Sequence, residues 1–455
     1  AEYLTGPHQP RKWNNYSTLH TPLETADVEP FFFRDSCAGG VHLGDPNRYP
    51  EILRFVCRRR GCGFDTGRSF VTARFNQLRS SCAGGLIDST SKLGRMLIPP
   101  AHDPMSSVFI SAVGRTLAEF LDEQAGLADR TGATAVLDAA HACVAGGKRL
   151  RPAFCYWGYV AAAGRPIDPG PLLRAAASLD LLHASLLVHD DLLDGSDTRR
   201  GAPSAHRRFE ALLPGPRAAR FGEAAAILLG DVLFSWSAEM FENAGLSPEA
   251  VRRAASVLAT MRSEVLLGQY LDVAAAFGAT DRSTPRAQAD TAEKVLEFKS
   301  ARYSVRRPAE LGATLGEAPP GLLAALGTYG SLLGRAFQLR DDILGVFGDP
   351  GATGKPAGDD IREGKRTVLV LTALENGDAR QHDTLDSLLG TPGLTEEDLT
   401  TAREIIEATG ARNSCEELIA RSTTDALTAL EGADMDAEGR SALITLAGLA
   451  TDRDR

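Results

Sequence analysis

Three aspartates stand together at the end of an apolar segment near the middle of the chain. The segment Leu181–Arg200 reads LLHASLLVHDDLLDGSDTRR, and its carboxylates are Asp190, Asp191 and Asp194. At helical spacing Asp190 and Asp194 lie one turn apart on one face, where their charges repel each other unless a cation lies between them. Mg²⁺ suits such a pair, because it usually shares its ligand shell among carboxylates, waters and a substrate phosphate. The spacing therefore predicts a Mg²⁺ site at a helix end.

Basic side chains lie on both sides of these aspartates in the sequence. Arg199 and Arg200 follow them directly, and Arg side chains bind phosphate oxygens through charge-assisted hydrogen bonds. The loop Gly146–Pro152 (GGKRLRP) places three cations ahead of a helix: Lys148, Arg149 and Arg151. A basic loop or a solvated acidic helix end is unremarkable when it occurs alone. Their combination in one chain favours a site for phosphorylated ligands.

Two further polar positions lie within apolar helical sequence. His183 precedes Asp190 by two turns and shares nearly the same face, although a lone histidine on an apolar helix is more often a core residue. Lys299-Ser300 lies in a helical run that we expect to begin near Ala292 and to end before Pro308. Both positions are candidates for the same site.

A second acidic helix end occurs far downstream. The segment Phe337–Asp342 (FQLRDD) contains Gln338 and ends on Asp341 and Asp342, and Lys355 follows within a stretch rich in glycine and charge. Two acidic helix ends and several cations match the requirements of diphosphate chemistry. Carboxylates hold Mg²⁺ on one diphosphate, and a separate set of Lys and Arg side chains holds another.

The elements that must position these residues read as helices. Val113, Leu117, Phe120 and Leu121 repeat at helical spacing, and similar Ala/Leu-rich segments separated by Gly and Pro continue almost to the end. No alternating strand pattern appears. From about residue 105 to 455 we therefore predict one large all-α bundle, with the site in a central cavity between facing helices.

Residues 1–104 differ from this body and are predicted to form an irregular extension of unknown role. They are rich in Gly, Pro, Asn, Ser and Arg and lack a sustained period. Their cysteines are Cys37, Cys57, Cys62 and Cys82, and the spacing does not match a zinc motif.

Composition limits the compartment and the partners. The chain has 455 residues and a formal net charge of −10, which argues against general nucleic-acid binding. Its odd total of 7 cysteines and the absence of a signal-peptide pattern favour a reducing cytoplasm. No apolar run approaches the roughly 20 residues of a transmembrane helix.

The motifs GGKRLRP, HASLLVHDDLLDGSDTRRG, GDVLF, GQYLDV, KSA and FQLRDDILGVFGDPGATGKPAGDDIREGKRT resemble those of trans-isoprenyl diphosphate synthases in order and spacing. This polyprenyl synthetase family includes farnesyl and geranylgeranyl diphosphate synthases, and the resemblance covers about residues 106–455. It implies an isoprenoid-synthase helical bundle and a homodimer, which is the usual assembly in this family. It also implies condensation of isopentenyl diphosphate with an allylic diphosphate (dimethylallyl, geranyl or farnesyl) through an allylic cation, with three Mg²⁺ ions when substrate is bound.

The resemblance also implies roles for individual residues. The isopentenyl-diphosphate contacts are Lys148, Arg151, His183 and Arg200. The allylic-diphosphate contacts are Arg199, Lys299, Ser300, Gln338 and Lys355. The metal ligands are Asp190, Asp191, Asp194, Asp341 and Asp342, and the catalytic set comprises Asp190, Asp194, Lys299, Asp341 and Lys355.

Some positions depart from the family pattern or remain secondary. The second motif usually carries a third aspartate where this chain has Gly345, so one fewer carboxylate is available for the third metal. Ser300 replaces the usual threonine and keeps its hydroxyl. Gln269 and Asp272 match the GQxxD pattern, and we expect them to support the metal ligands from behind.

The length of the product follows from helix geometry. A helix rises about 5.4 Å per turn, which is roughly the length of one isoprene unit. The residues four, five and eight positions before Asp190 are therefore expected to form successive floors of the product cavity, each of which would stop the growing chain at a different length. These are Leu186, Ser185 and Leu182. In the family that the chain resembles, an aromatic residue at the fifth position before the motif keeps the product short, so the small Ser185 predicts geranylgeranyl diphosphate, with twenty carbons, or a longer product.

Two other functions remain as alternatives. A non-catalytic partner subunit of a prenyltransferase would be expected to lose the first aspartate motif or the diphosphate cations, and here both are present. A class I terpene cyclase of the same fold holds one diphosphate and has no use for the GGKRLRP loop. A prenyltransferase is therefore the favoured interpretation.

Overall fold

The computed structural model describes residues 99–348 and 358–452. Nearly all of the predicted extension and the predicted ligand Lys355 lie outside the described residues. The last residues ahead of the first helix contact the bundle, because Trp157 donates a hydrogen bond to the Pro104 carbonyl (3.2 Å) and Arg165 donates one to the Pro99 carbonyl (3.1 Å). A domain boundary at residue 104 stays a prediction.

The described residues are almost entirely helical, as predicted. The helices of the first half are α1 Ser107–Glu123, α2 Ala125–Thr131, α3 Thr134–Val144, α4 Leu150–Ala163, α5 Gly170–Leu193, α6 Ala205–Glu210, α7 Ala218–Glu242 and α8 Pro248–Ala276. Those of the second half are α9 Pro285–Val295, a π-helix Leu296–Arg306, α10 Arg307–Leu315, α11 Pro320–Phe347, α12 Asp359–Arg362, α13 Val368–Asn376, α14 Ala379–Leu388, α15 Glu396–Ala408, α16 Ala411–Glu431 and α17 Ala437–Thr451.

The helix predicted around Val113 is α1, and it shows why these sequences become helical. The Ser106 side chain accepts a hydrogen bond from the backbone N–H of Phe109 and caps the first turn. The four periodic residues of the sequence pattern are all buried. The apolar stripe that predicted the helix is therefore the face that α1 packs against the core.

Two hydrophobic clusters organise the bundle. The larger one joins α1, α4, α5, α7, α8 and α10 with the first part of α11, and α5 lies within it with most of its residues buried. The smaller one surrounds the end of α11 with α13, α15 and α16. Since α11 belongs to both clusters, it links the metal-motif helix α5 to the C-terminal helices.

A short antiparallel ribbon follows α5 and was not predicted. Strands β1 (Thr198–Arg199) and β2 (Ala202–Pro203) pair across a turn in which Arg200 has φ 53° and Gly201 has φ 73°. Positive φ at both central positions is typical of a type I′ hairpin turn, which arginine adopts only at an energetic cost. The ribbon fixes the directions of the two arginines.

In the part of the chain that the structure describes, two helices are long and apolar enough to cross a membrane if length and composition alone are considered. They are α5, with 72% of its apolar window buried, and α7, with 39%. Core helices pass the same test, and α5 is part of the larger hydrophobic cluster.

Helices α4 and α10 approach so closely that a glycine is required between them. A Cβ on Gly312 would lie 2.7 Å from the carbonyl carbon of Cys155 and 2.8 Å from the backbone nitrogen of Tyr159. Neither backbone atom can move without separating the helices. Gly448 in α17 has no atom within 4 Å of the same position and is therefore a matched control.

We expect Gly312→Ala to lower the free energy of unfolding by about 1–3 kcal/mol, because it overpacks this contact. Gly448→Ala should leave it unchanged or raise it by roughly 0.5–1 kcal/mol, since alanine is the better helix former. Urea unfolding followed by circular dichroism measures both. Equal midpoints for the two variants would show that α4 and α10 do not depend on this contact.

Candidate active site

The structure contains a cavity of about 760 Å³ between α5, α8, the π-helix and α11. Its wall also includes the loop before α4, the β-ribbon, α12 and residues 365–368. The volume lies within the roughly 300–1,000 Å³ of small-molecule sites. The cavity brings together most of the residues predicted from the sequence, although they come from positions about 200 residues apart.

Asp190 faces this cavity from the last turn of α5. Its Oδ1 accepts hydrogen bonds from Lys299 Nζ (3.2 Å) and from Gln269 Nε2 (3.0 Å). Lys299 also donates to Asp272 Oδ2 at 2.6 Å. Gln269 therefore contacts Asp190 directly, whereas Asp272 contacts Lys299.

The two other aspartates of the first cluster do not line the cavity wall. Asp194 caps α5 and accepts a hydrogen bond from Lys365 Nζ at 3.1 Å, and Lys365 does line the wall. Asp191 is buried and accepts a hydrogen bond from Arg199 Nε at 2.7 Å. Asp190 and Asp194 are thus directed towards cavity cations, whereas Asp191 holds the β-ribbon.

Positive charge lies where the carboxylates converge. Burial disfavours the charged form of Lys299, but Asp190 and Asp272 outweigh it and raise the lysine pKa. Burial also disfavours the charged form of Lys365, but the charges of Asp360 and Asp194 outweigh it and raise the pKa of this lysine well above its usual value. Both lysines are therefore charged at neutral pH. Lys365 was not among the predicted site residues, although it stands in the GKRT segment that follows the second aspartate cluster.

The second cluster lies opposite on α11. Gln338, Asp341 and Asp342 line the cavity, and Gln338 Nε2 donates to Asp342 Oδ1 at 2.7 Å. Asp342 is buried, and this burial together with the charge of Asp360 raises its pKa well above the usual value. Asp342 therefore carries less negative charge than a solvated aspartate would.

The donor set fits Mg²⁺. Within the described ranges no three His, Cys, Asp or Glu side chains converge as a preformed metal cluster. Mg²⁺ does not need one, since it binds through one or two carboxylates together with waters and substrate phosphates. Asp190 and Asp341 line the cavity and Asp194 contacts the wall residue Lys365, so these three carboxylates are the candidate Mg²⁺ ligands.

A second, cationic region lies at the other side of the cavity. Lys148, Arg151, His183 and Arg200 all line it. Arg151 stacks over the Tyr303 ring, 4.4 Å from its centroid, and donates to Ser304 Oγ at 2.9 Å. The four predicted isopentenyl-diphosphate contacts are therefore brought together.

His183 in this region is a neutral imidazole. Burial, reinforced by Arg151 and Arg200, lowers its pKa well below the usual value. Its Nδ1 is buried without a hydrogen-bond partner among the described residues. The ring therefore does not behave as a satisfied core histidine.

Arg149 explains the shape of the basic loop. It has φ 58°, and its guanidinium turns inward to pair with buried Asp180 at 2.8 Å and to donate to the Val144 carbonyl at 2.7 Å. Arg149 was predicted as one of the basic loop residues, whereas its partner Asp180 was not predicted. This buried pair anchors the loop so that the neighbouring Lys148 lines the cavity.

The helix that carries Lys299 differs from the prediction. The helical run does not end before Pro308, since Pro308 lies in the first turn of α10, where its missing N–H is tolerated. Between α9 and α10 the backbone forms a π-helix, a rare element that is frequent at functional sites. Its wider turns present two adjacent pairs to the cavity: Lys299 and Ser300, then Tyr303 and Ser304.

Ion pairs and glycines hold this π-helix in place. Glu264 of α8 pairs with Arg302 (2.5 Å) and with Arg307 (2.7 Å). A Cβ on Gly268 would lie 2.7 Å from the carbonyl carbon of Phe298, so α8 approaches the π-helix backbone only because it has glycine there.

The residues predicted to set product length lie at two depths, one at the surface of the cavity and one behind its wall. Leu186 lines the cavity, whereas Leu182 and Ser185 are fully buried and do not line it. The Ser185 hydroxyl is buried without a hydrogen-bond partner among the described residues. Ser185 is therefore next to the cavity wall in sequence but behind it in the structure.

Comparison with known proteins identifies the family of the chain. A model of the family described as Polyprenyl synthetase matches residues 134–406. A short chain isoprenyl diphosphate synthase of Methanothermobacter thermautotrophicus is 33% identical over 347 residues, which cover 75% of this chain and 97% of that protein. A geranylfarnesyl diphosphate synthase of Aeropyrum pernix is 34% identical over 286 residues, covering 61% of this chain and 80% of that protein.

Solved structures show the same similarity in three dimensions. The geranylgeranyl pyrophosphate synthase of Corynebacterium glutamicum, crystallised with isoprenyl diphosphate and magnesium, is 39% identical with a TM-score of 0.72. The match covers 76% of this chain and 98% of that one. Because the family profile spans more than half of the sequence and the matched fold places both aspartate motifs at one cavity, the chain belongs to the polyprenyl synthetase family.

Proposed function

We propose that this protein is a Mg²⁺-dependent prenyltransferase that joins isopentenyl diphosphate head-to-tail to an allylic diphosphate. The observation that carries the proposal is the single cavity that combines aspartates from two helices with two separate groups of cations. One diphosphate has to leave and the other has to stay bound intact. A site with both kinds of charge separates these tasks.

The aspartate side is suited to the allylic diphosphate. Asp190, Asp194 and Asp341 would hold Mg²⁺, which when bound neutralises the charge of the departing diphosphate. Lys299, Ser300 and Gln338 line the same wall, and Lys355 belongs to this group by family resemblance. Arg199 also lines the cavity, and its guanidinium lies 3.7 Å from Asp190 Oδ2. These donors bind the diphosphate oxygens and stabilise the charge that develops as the C–O bond breaks.

The opposite side is suited to isopentenyl diphosphate. Lys148, Arg151 and Arg200 provide cationic donors, and His183 adds a neutral one. Arg151 donates to the Ser304 hydroxyl and Arg200 to the Ala145 carbonyl, and both of these acceptors are neutral. A diphosphate bound there is therefore neutralised by side chains and stays attached to its substrate.

The reaction follows from this separation. The allylic C1–O bond breaks with departure of diphosphate, and the double bond of isopentenyl diphosphate attacks C1 to form a new carbon–carbon bond. A proton then leaves the resulting cation, which restores a double bond in a product five carbons longer. The protein orients the two substrates and excludes water that would otherwise capture the cation.

The alternatives fit the cavity less well. A terpene cyclase has one diphosphate to bind and gives no role to Lys148, Arg151 and Arg200. A non-catalytic subunit would not need Asp190 and Lys299 to remain paired at the cavity wall. We therefore retain the prenyltransferase proposal.

We further propose geranylgeranyl diphosphate as the main product. The small Ser185 lies behind the wall, between Ala184 and Leu186 in the sequence, which both line the cavity. A growing chain that displaces this wall meets no aromatic ring at position 185. Relatives of similar identity make products of different length, so local side chains rather than overall similarity set the length.

A homodimer is the oligomer that we propose. Helices α7 and α8 are neighbours, joined by a hydrogen bond of 2.8 Å from Arg262 to Ser237. Large apolar side chains on both helices are exposed: Ile227, Leu228, Leu266, Leu267 and Tyr270. An apolar surface of this kind is typical of a protein–protein interface, and a second copy would cover it.

A cytoplasmic location agrees with the cysteines. Cys143, Cys155 and Cys415 of the described chain are all free thiols, as expected in a reducing compartment.

Asp190→Asn is expected to reduce prenyl transfer by at least about 100-fold, because one oxygen of the Mg²⁺-binding carboxylate becomes an amide donor. Transfer is measured with labelled isopentenyl diphosphate, an allylic primer and Mg²⁺. The control Asp138→Asn changes an exposed carboxylate of α3 and should retain activity. Wild-type protein that forms hydrocarbon from the allylic diphosphate alone would instead indicate a cyclase.

Ser185→Phe is expected to shorten the product by at least one isoprene unit, because the ring blocks the layer behind Leu186. Ser185→Ala is the matched control, since it only removes a hydroxyl that lacks a partner, and it should keep the wild-type product. Chromatography of the dephosphorylated products measures chain length. If the Ser185→Phe variant is active and its product is unchanged, position 185 does not limit the length of the product.

Leu267→Glu combined with Tyr270→Glu is expected to convert the dimer to a monomer, because each places a charge in the apolar interface. Ile167→Glu changes an exposed apolar residue in a loop outside this surface and should stay dimeric. Size-exclusion chromatography with light scattering gives the mass. A double variant that still elutes as a dimer would place the interface elsewhere.

A further inference from the structure

Two arginines in the cavity wall belong to neither of the two groups of cations described above. Arg282 lies in the connection between α8 and α9, and Arg366 follows Lys365 ahead of α13. Both arginines line the cavity. Neither was predicted as a site residue, so their presence in the wall needs its own explanation.

The side chain of Gln288 joins the two arginines. Its Oε1 accepts a hydrogen bond from Arg366 Nη1 at 3.2 Å, and its Nε2 donates to the Arg282 carbonyl at 3.4 Å. Gln288 belongs to α9 and also lines the cavity. Arg282 and Arg366 therefore occupy one continuous part of the wall.

The guanidinium of Arg282 is held against the end of α8. It donates a hydrogen bond to the carbonyl of Ala275, which also lines the cavity. Ala275 follows Asp272 by three residues, which is about one helical turn. Since Asp272 is the partner of Lys299, the Arg282 guanidinium lies about one turn of α8 beyond that ion pair.

Arg282 lies where the cavity meets solvent. Its residue is exposed, whereas only 24% of the Lys299 side chain and 16% of the Lys365 side chain are exposed. Arg366, with 19% of its side chain exposed, continues the wall from Lys365. A ligand that enters from solvent on this side therefore meets Arg282 before it meets the two lysines.

The two guanidinium groups lie close enough for their charges to repel each other. Burial, followed by the charge of Arg366, lowers the pKa of Arg282, and the charge of Asp386 acts in the opposite direction. Asp386 pairs with Arg366 and is itself 43% exposed. An anion with several oxygens would relieve this repulsion by binding both guanidinium groups, and phosphate oxygens suit arginine donors.

We propose that Arg282 and Arg366 form an outer binding site for the diphosphate group of a ligand that passes between solvent and the aspartate side of the cavity. The inference rests on the proposed prenyltransferase function. In that reaction two ligands carry a diphosphate along this path: the allylic substrate on its way in and inorganic diphosphate on its way out. From the outer site the group passes to Lys299 and Lys365, which contact the aspartates of the first cluster.

Binding of the diphosphate group is tested without turnover. Inorganic diphosphate is titrated calorimetrically into the full chain in EDTA, which removes Mg²⁺, with isopentenyl diphosphate present to fill the opposite cationic region. Arg282→Gln should raise the dissociation constant by about tenfold, because a charge-assisted hydrogen bond is lost. Arg282→Lys keeps a cation and should stay within about threefold of wild type.

The matched control is Arg286→Gln, in the first turn of α9. Arg286 is 86% exposed and pairs with Asp290, so this variant should bind diphosphate as wild type does. The proposal fails if Arg282→Gln also binds as tightly as wild type, or if the two glutamine variants lose affinity equally.

Steady-state kinetics with Mg²⁺ distinguish the two sources of the diphosphate group. If the allylic substrate uses the outer site, Arg282→Gln should lower kcat/KM for this substrate by about tenfold and leave kcat unchanged. If departing diphosphate uses it, kcat should fall and kcat/KM for the allylic substrate should be retained. In both cases the KM of isopentenyl diphosphate should stay at the wild-type value. A variant with wild-type kinetics throughout would overturn the proposal.

Wild-type prenyl transfer, measured in the same assay, separates this inference from the proposed function. An active wild type with an unaffected Arg282→Gln variant would overturn only the outer site. A wild type that transfers no prenyl group, but whose diphosphate binding is weakened by Arg282→Gln, would overturn the proposed function and support the anion site.

Discussion

The balance of charge inside one buried cavity is the constraint on which the rest of the site depends. Asp190 and Asp272 share Lys299, and Asp194 accepts a hydrogen bond from Lys365. Each lysine lies where metal ions would compete with it for the carboxylates and where a diphosphate would bind the lysine itself. Removing one partner of a buried pair leaves an uncompensated charge, which costs about 3–5 kcal/mol. The cations that would bind substrate therefore also keep the aspartates together.

This balance requires the π-helix. Lys299 has to reach Asp190 from one turn while Tyr303 and Ser304 of the next turn support Arg151 on the opposite side. In the wider π turns these side chains face the same cavity. A π-helix is a rare element that usually spans a single turn. Pairing with Glu264 and close packing against α8 hold it, so residues remote from the chemistry position the groups that perform it.

The fold was predictable from the sequence because local patterns of apolar residues specify its helices. The apolar period of α1 and the apolar run of α5 specify these helices and their buried faces. The order of the motifs indicated where the candidate site lies. The π-helix, the β-ribbon turn at Arg200 and the Asp180 partner of Arg149 could not be predicted in this way. Each depends on tertiary contacts that override local propensity. The position of Ser185 behind the cavity wall could not be predicted by counting residues along the helix, because packing decides which residues form the wall.

Gly345 shows the difference between counting residues in a motif and counting groups in space. Along α11 the glycine removes a carboxylate, and the sequence suggests a weaker metal site. In the structure the same glycine leaves a volume that Asp360 occupies from a different helix. A metal ion responds to the oxygens around it and not to the helix from which they come. The carboxylates near the second motif of this chain therefore cannot be counted along α11 alone, because Asp360 also lines the cavity.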